Sequence, residues 1–158
     1  TEVRADYKKT EGITDDEIVV MAKKILSERF KKGIAITSPA ITRDHLLVNY
    51  CELECEIFGV LWLDSKHRII TEDILFRGTI DNASVPIREV VKDALANNAA
   101  AAIIFHNHPS GISEPSSADK SLTEAIYTSL NMVGVKLLDH MVIGKNDVCS
   151  LAELGCVG

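Results

Sequence analysis

Residues 99–105, Ala-Ala-Ala-Ala-Ile-Ile-Phe, contain no polar side chain. The run is short and follows a helical segment, which reads as a central strand covered on both faces. Such a strand needs a layer above it and a layer below it. The rest of the chain therefore has to provide helices for a layered α/β fold.

It does so in order. Thr14 and Glu17 have capping-box spacing, and Ile13 and Ile18 stand where a hydrophobic staple would put them. Ile18, Met21, Ala22, Ile25, Leu26 and Phe30 recur at helical spacing, predicting a first helix over 14–31 that buries one face. Ser38-Pro39 caps a second helix that ends near Tyr50. Two strands follow, Ile57–Leu63 and Arg68–Arg77, joined by a turn at Asp64-Ser65-Lys66-His67. Pro86 opens a third helix with Ile87, Val90, Val91, Ala94 and Leu95 on its stripe. After the apolar strand, a fourth helix spans 116–133 and stops at Gly134, a left-handed cap. Val135–Ile143 is a further strand, and Gly144-Lys145-Asn146-Asp147 turns into a short last one. The expected fold is α/β, a mixed β-sheet with packed helices. Residues 1–37 form a polar arm and a helix, and residues 38–158 form the main domain.

The charge and cysteine content narrow the function. At 158 residues with a net charge of −6, the chain has the wrong sign for gripping a nucleic acid backbone. Arg29, Lys31 and Lys32 are the best candidates for a local basic patch and read more readily as a solvated helix end. No apolar run reaches the ~18 residues of a membrane span and no signal peptide opens the sequence, so a cytoplasmic location is expected. The four cysteines include Cys51 and Cys55, three residues apart, and Cys149 and Cys156, six apart. Neither spacing suits a zinc ribbon, and free thiols are expected.

The chemistry gathers where the apolar strand ends. In extended backbone, residues i and i+2 point the same way, so His106 and His108 can aim at one ion while Asn107 points elsewhere. Pro109-Ser110-Gly111 turns the chain and returns Asp119 toward them. Two histidines and a carboxylate are ligands that zinc takes, leaving an open position for water, as in catalytic sites. The same residues would also suit a non-haem iron centre. Asp119 has a competing assignment: Ser116-Ser117-Ala118-Asp119 is spaced as a helix cap and its third residue. His140 in the strand 135–143 reads foremost as a satisfied core histidine, with a partner that orients a ligand as the alternative.

His106-Asn107-His108-Pro109-Ser110-Gly111, Pro115-Ser116 and Asp119 together resemble the motif of the JAMM (MPN-plus, JAB domain) metalloproteases, and the RadC branch in particular. The likeness extends through Glu56-Ile57-Phe58 with Leu61 to Asp64, Phe76-Arg77-Gly78-Thr79, Arg88-Glu89-Val90-Val91 and Leu138-Asp139-His140, covering about residues 38–154. Val85-Pro86-Ile87 departs slightly from the family's usual spelling. The chain resembles a short form lacking the helix-hairpin-helix region of full-length RadC proteins, which also weighs against direct DNA binding.

The resemblance implies a JAB/MPN-like fold with the layered, cytidine-deaminase-like architecture. It further implies that His106, His108 and Asp119 hold Zn2+, that Glu56 is the general base and that Ser116 steadies the oxyanion. By residue type alone, Glu56 is a carboxylate at a strand start, and Glu52 and Glu54 lie close enough to compete for the role. The expected activity is hydrolysis of a peptide or isopeptide bond by a water on the zinc. The substrate would be a peptide or protein, ubiquitin-like conjugates included. The alternative is a metal-stabilised interaction module without turnover, linked to DNA repair or mobile elements. Loops at 77–85 and 110–116 are expected to border the cleft. Substrate and oligomeric state are not legible.

Overall fold

The computed structural model describes residues 12–79 and 85–158. The expected arm and part of the 77–85 loop lie outside the described residues. The elements are α1 (Asp15–Arg29), α2 (Pro39–Tyr50), β1 (Ile57–Leu63), β2 (Ile69–Arg77), α3 (Ile87–Ala96), β3 (Ala101–Asn107), α4 (Ser117–Met132), β4 (Lys136–Ile143) and β5 (Val148–Ser150). Among the described residues, no helix is long and apolar enough to cross a membrane.

The strands make one sheet in the order β2-β1-β3-β4-β5. β3 occupies its centre, antiparallel to β1 and parallel to β4. Parallel neighbours cannot be joined by a hairpin, and α4 supplies the crossover between them. Because successive strand residues face opposite ways, the sheet has two cores. Phe58, Val60 and Trp62 of β1 and Ala102 and Ile104 of β3 pack with Val90 and Ala94 of α3 and Leu122, Ile126 and Leu130 of α4. Ile57, Leu61, Ile103 and Phe105 face the other way, toward Leu46 of α2 and Phe30. The architecture is therefore α/β with a mixed sheet, as expected.

One close approach holds β1 and β3 in register. Gly59 pairs with Phe105, whose ring occupies the space a Cβ on Gly59 would need. The same ring stacks on Tyr50 with centroids 5.2 Å apart. Any side chain at residue 59 would displace it.

Three expectations need correction. α1 forms with the Thr14–Glu17 capping box in place, but none of its residues is buried. It packs against α2, with Ala22 and Leu26 half-buried and Phe30, just beyond its end, stacked on the His45 ring at 4.1 Å. The broader stripe does not meet a partner: Ile18, Met21 and Ile25 are each about half exposed, at 46%, 53% and 51%. On α3, Val90 and Ala94 are buried while Leu95 is 58% exposed, so the buried stripe is narrower than its apolar pattern. β3 begins two residues later than the apolar run and ends two residues later. Asn98 adopts a left-handed φ of 49° that ends the α3 turn, and Ala99-Ala100 bridge into the strand.

Candidate metal centre

His106 lies within β3, His108 just beyond it, and Asp119 in the first turn of α4. Strand alternation turns His106 toward the α4 face, together with Ala102 and Ile104. The loop that returns the chain is pinned to the neighbouring strand. The His108 N–H donates to the Ile143 carbonyl at 2.8 Å, and the Lys145 N–H donates to the Gly111 carbonyl at 3.0 Å. Gly111 takes a φ of +86° with Lys145 packed against it, a conformation that favours glycine.

The helix start then holds Asp119. Ser116 Oγ accepts the Asp119 N–H at 3.1 Å, and the Asp119 carboxylate accepts the Ser116 N–H at 2.8 Å. This reciprocal cap, one of two competing roles for Asp119, forms, and it leaves the carboxylate facing both imidazoles. Its Oδ1 lies 3.1 Å from His106 Nε2 and its Oδ2 3.1 Å from His108 Nε2. The two Nε2 atoms are themselves 3.1 Å apart.

These atoms fit a cation. The His108 Nδ1 faces the Ile112 carbonyl at 2.7 Å, and a carbonyl can only accept, so that nitrogen carries the proton. In the neutral ring the His108 Nε2 lone pair then points inward. One ligand atom from each of His106, His108 and Asp119 lies within 4.8 Å of the others. Ligands about 2.0–2.1 Å from a tetrahedral zinc stand roughly 3.3 Å from one another, close to the spacing seen. His106 and Asp119 are buried at 1% and 5% exposure, whereas His108 is half-buried and opens the group toward solvent. Burial would push the Asp119 carboxyl up, but the His106 and His108 rings and the Ser116 N–H hold it well below the usual range. Its bond to His108 in turn raises that ring's proton affinity, with burial opposing and the Glu56 charge adding to it.

Glu56 is half-buried, one residue before β1, and near enough for its charge to be felt at His108. Its backbone is clamped from both sides. The Gly78 N–H donates to the Glu56 carbonyl at 2.9 Å. Asn107 straddles the residue, accepting the Ile57 N–H at 2.7 Å and donating to the Cys55 carbonyl at 3.0 Å. Glu52 and Glu54 are exposed in the preceding turns. The residue read only as pointing elsewhere, Asn107, is thus the tie between β3 and the Glu56 segment.

His140 is fully buried with both ring nitrogens partnered, as a satisfied core histidine would be, and one partner belongs to the site: its Nε2 lies 2.7 Å from His106 Nδ1 and its Nδ1 lies 2.6 Å from Thr123 Oγ1. Burial holds its ring neutral, and the neighbouring His106 acts in the same sense. Thr123 was missed by sequence reading altogether. The available signal was its spacing, four residues after Asp119 and so on the same helix face. The four cysteines are free thiols.

A family model described as the RadC-like JAB domain matches residues 36–156. The chain belongs to that family. It is 49% identical over 138 residues to a UPF0758 protein of Ectopseudomonas mendocina, a match covering 87% of this chain and 62% of that one. A UPF0758 protein of Halorhodospira halophila is 50% identical over 135 residues, covering 85% and 60%. One from Shewanella baltica is 47% identical over 137 residues, covering 87% and 61%. The chain therefore spans about three-fifths of the length of these relatives. The geometry provides a group that could bind a metal ion, and the family suggests a metal-dependent hydrolase.

Proposed function

We propose that this RadC-like JAB domain is a zinc-dependent hydrolase of amide bonds in a peptide or protein substrate. His106, His108 and Asp119 hold the ion. The observation that carries the reading is the convergence of two imidazole nitrogens and a carboxylate at one half-open site. A bound zinc would supply a Lewis acid and an acidified water.

The chain's own residues supply the remaining parts. Glu56, anchored through Asn107 and Gly78, takes the proton from the attacking water and returns it to the departing amine. Ser116 Oγ receives the Asp119 N–H, which leaves its own O–H to donate to the developing oxyanion. Asp119, capped at the start of α4, holds its carboxylate in place against both rings. Substrate reaches the group from the His108 side, where the site meets solvent.

The test uses zinc-loaded protein and a library of internally quenched peptides. Wild type cleaves part of the library, whereas Glu56→Gln retains zinc and loses cleavage by ~100-fold or more. Full turnover in Glu56→Gln would remove Glu56 from the mechanism. Zinc without any cleavage by wild type would favour the interaction-module alternative.

A further inference from the structure

We propose that His140 and Thr123 are positioning residues that determine which nitrogen of His106 carries its proton, and thereby set the affinity of the site for a divalent metal. The inference rests on the metal-site reading above and goes beyond it, because neither residue can reach the ion.

The logic runs inward from α4. A threonine hydroxyl has one proton. Thr123 Oγ1 lies 2.7 Å from the Asp119 main-chain carbonyl, which can only accept, so the proton is committed there. Toward His140 Nδ1, at 2.6 Å, the same oxygen must then accept, and His140 Nδ1 carries a hydrogen. His140 has 0% exposure, and its nitrogens face a hydroxyl and another imidazole. Charging such a ring costs more than these neutral partners return. Its Nε2 is therefore bare.

That bare nitrogen lies 2.7 Å from His106 Nδ1, which must donate to it. The His106 proton is thus held on the outer side of the ring. Its Nε2 lone pair is left facing His108 Nε2 and Asp119 Oδ1, each 3.1 Å away. Reversing any link would place a proton on His106 Nε2, in the position of the ion. The relay follows from the topology: His140 on β4 is the register partner of Ile104, two residues before His106 and on the same face. Thr123 stands one helical turn beyond Asp119. One crossover, β3-α4-β4, thus contributes both the ligands and the chain that orients one of them.

The sharpest perturbation is remote. Thr123→Val keeps the shape and removes the acceptor, freeing His140 to protonate Nε2 instead. Zinc affinity is measured by competition with a chromophoric chelator for wild type, Thr123→Val and Thr123→Ser. Thr123→Val should bind about 10–100-fold more weakly, the usual cost of losing a partner that orients a ligand. Thr123→Ser should restore the wild-type value, which a merely structural defect at this position would not explain. Equal affinity in Thr123→Val and wild type would overturn the relay while leaving the metal site standing. Failure of wild type to bind zinc would overturn both. Imidazole nitrogen NMR of metal-free wild type tests the relay independently of any variant. His106 Nδ1 and His140 Nδ1 should be protonated and His140 Nε2 bare; a protonated His140 Nε2 would refute the assignment.

Discussion

Asn107→Ala should cost this protein far more stability than a loop-facing polar residue would. The side chain is 2% exposed and makes two hydrogen bonds to another part of the chain, from Ile57 N at 2.7 Å and to Cys55 O at 3.0 Å. Truncation strands the Ile57 N–H at a residue with 0% exposure, where water does not replace the lost acceptor. An orphaned buried donor costs about 1–3 kcal/mol. The Cys55 carbonyl belongs to an exposed residue and regains water, so its loss adds about 1 kcal/mol at most. The sum is about 1–4 kcal/mol, a large part of the ~5–15 kcal/mol that holds a typical domain together. Equilibrium unfolding in urea reads it as a lower midpoint at unchanged slope. Asn107→Asp can make both bonds only when protonated, so its deficit should shrink as pH is lowered. An Asn107→Ala protein within about 0.5 kcal/mol of wild type, the scatter of ordinary surface substitutions, would refute the clamp.

Gly59→Ala should destabilise strongly, because the new Cβ would sit 2.3 Å from the Phe105 ring. Overpacking of this kind costs about 1–3 kcal/mol, and a Gly59→Ala, Phe105→Leu double variant should recover part of it in a thermal melt. Trp62, the single tryptophan, donates its indole N–H to Asp93 Oδ2 at 2.6 Å and so reports on that carboxyl. Burial raises the Asp93 pKa; the Trp62 bond opposes this and the adjacent Asp73 carboxylate reinforces it. Its stabilising contribution is therefore present below the ordinary aspartate range near ~3.9 and is lost as pH rises through the folded-state value. Trp62 fluorescence should titrate above that range, and Asp73→Asn should lower the midpoint. A midpoint at or below the ordinary value would contradict the assignment.

Local rules carried much of the fold. The Thr14 and Ser116 capping boxes and the Ser38-Pro39 start mark helix N-termini by chemistry that acts within three residues. The β3 limits were harder, because Ala99-Ala100 suit a strand as well as a connection and only the backbone of Asn98 separates them. α1 shows what periodicity omits: it identifies a helix from Ile18, Met21 and Ile25 but not whether a partner covers them. The His106, His108 and Asp119 group was legible because its spacing is short. Thr123 and the Asn107 clamp were not, because each acts across strand pairings or a crossover that joins distant residues, and the sequence leaves both roles of His140 open. A lone histidine in an apolar strand looks the same in sequence whether it fills the core or orients a ligand. The register with Ile104 is what places His140 beside His106.

The most direct measurement is zinc content of the purified protein by elemental analysis, wild type beside His108→Ala, before and after reconstitution. The account predicts about one zinc per chain in wild type, as for a single three-residue site, and its loss in the variant. Wild-type protein that stays folded yet takes up no zinc after reconstitution would contradict it.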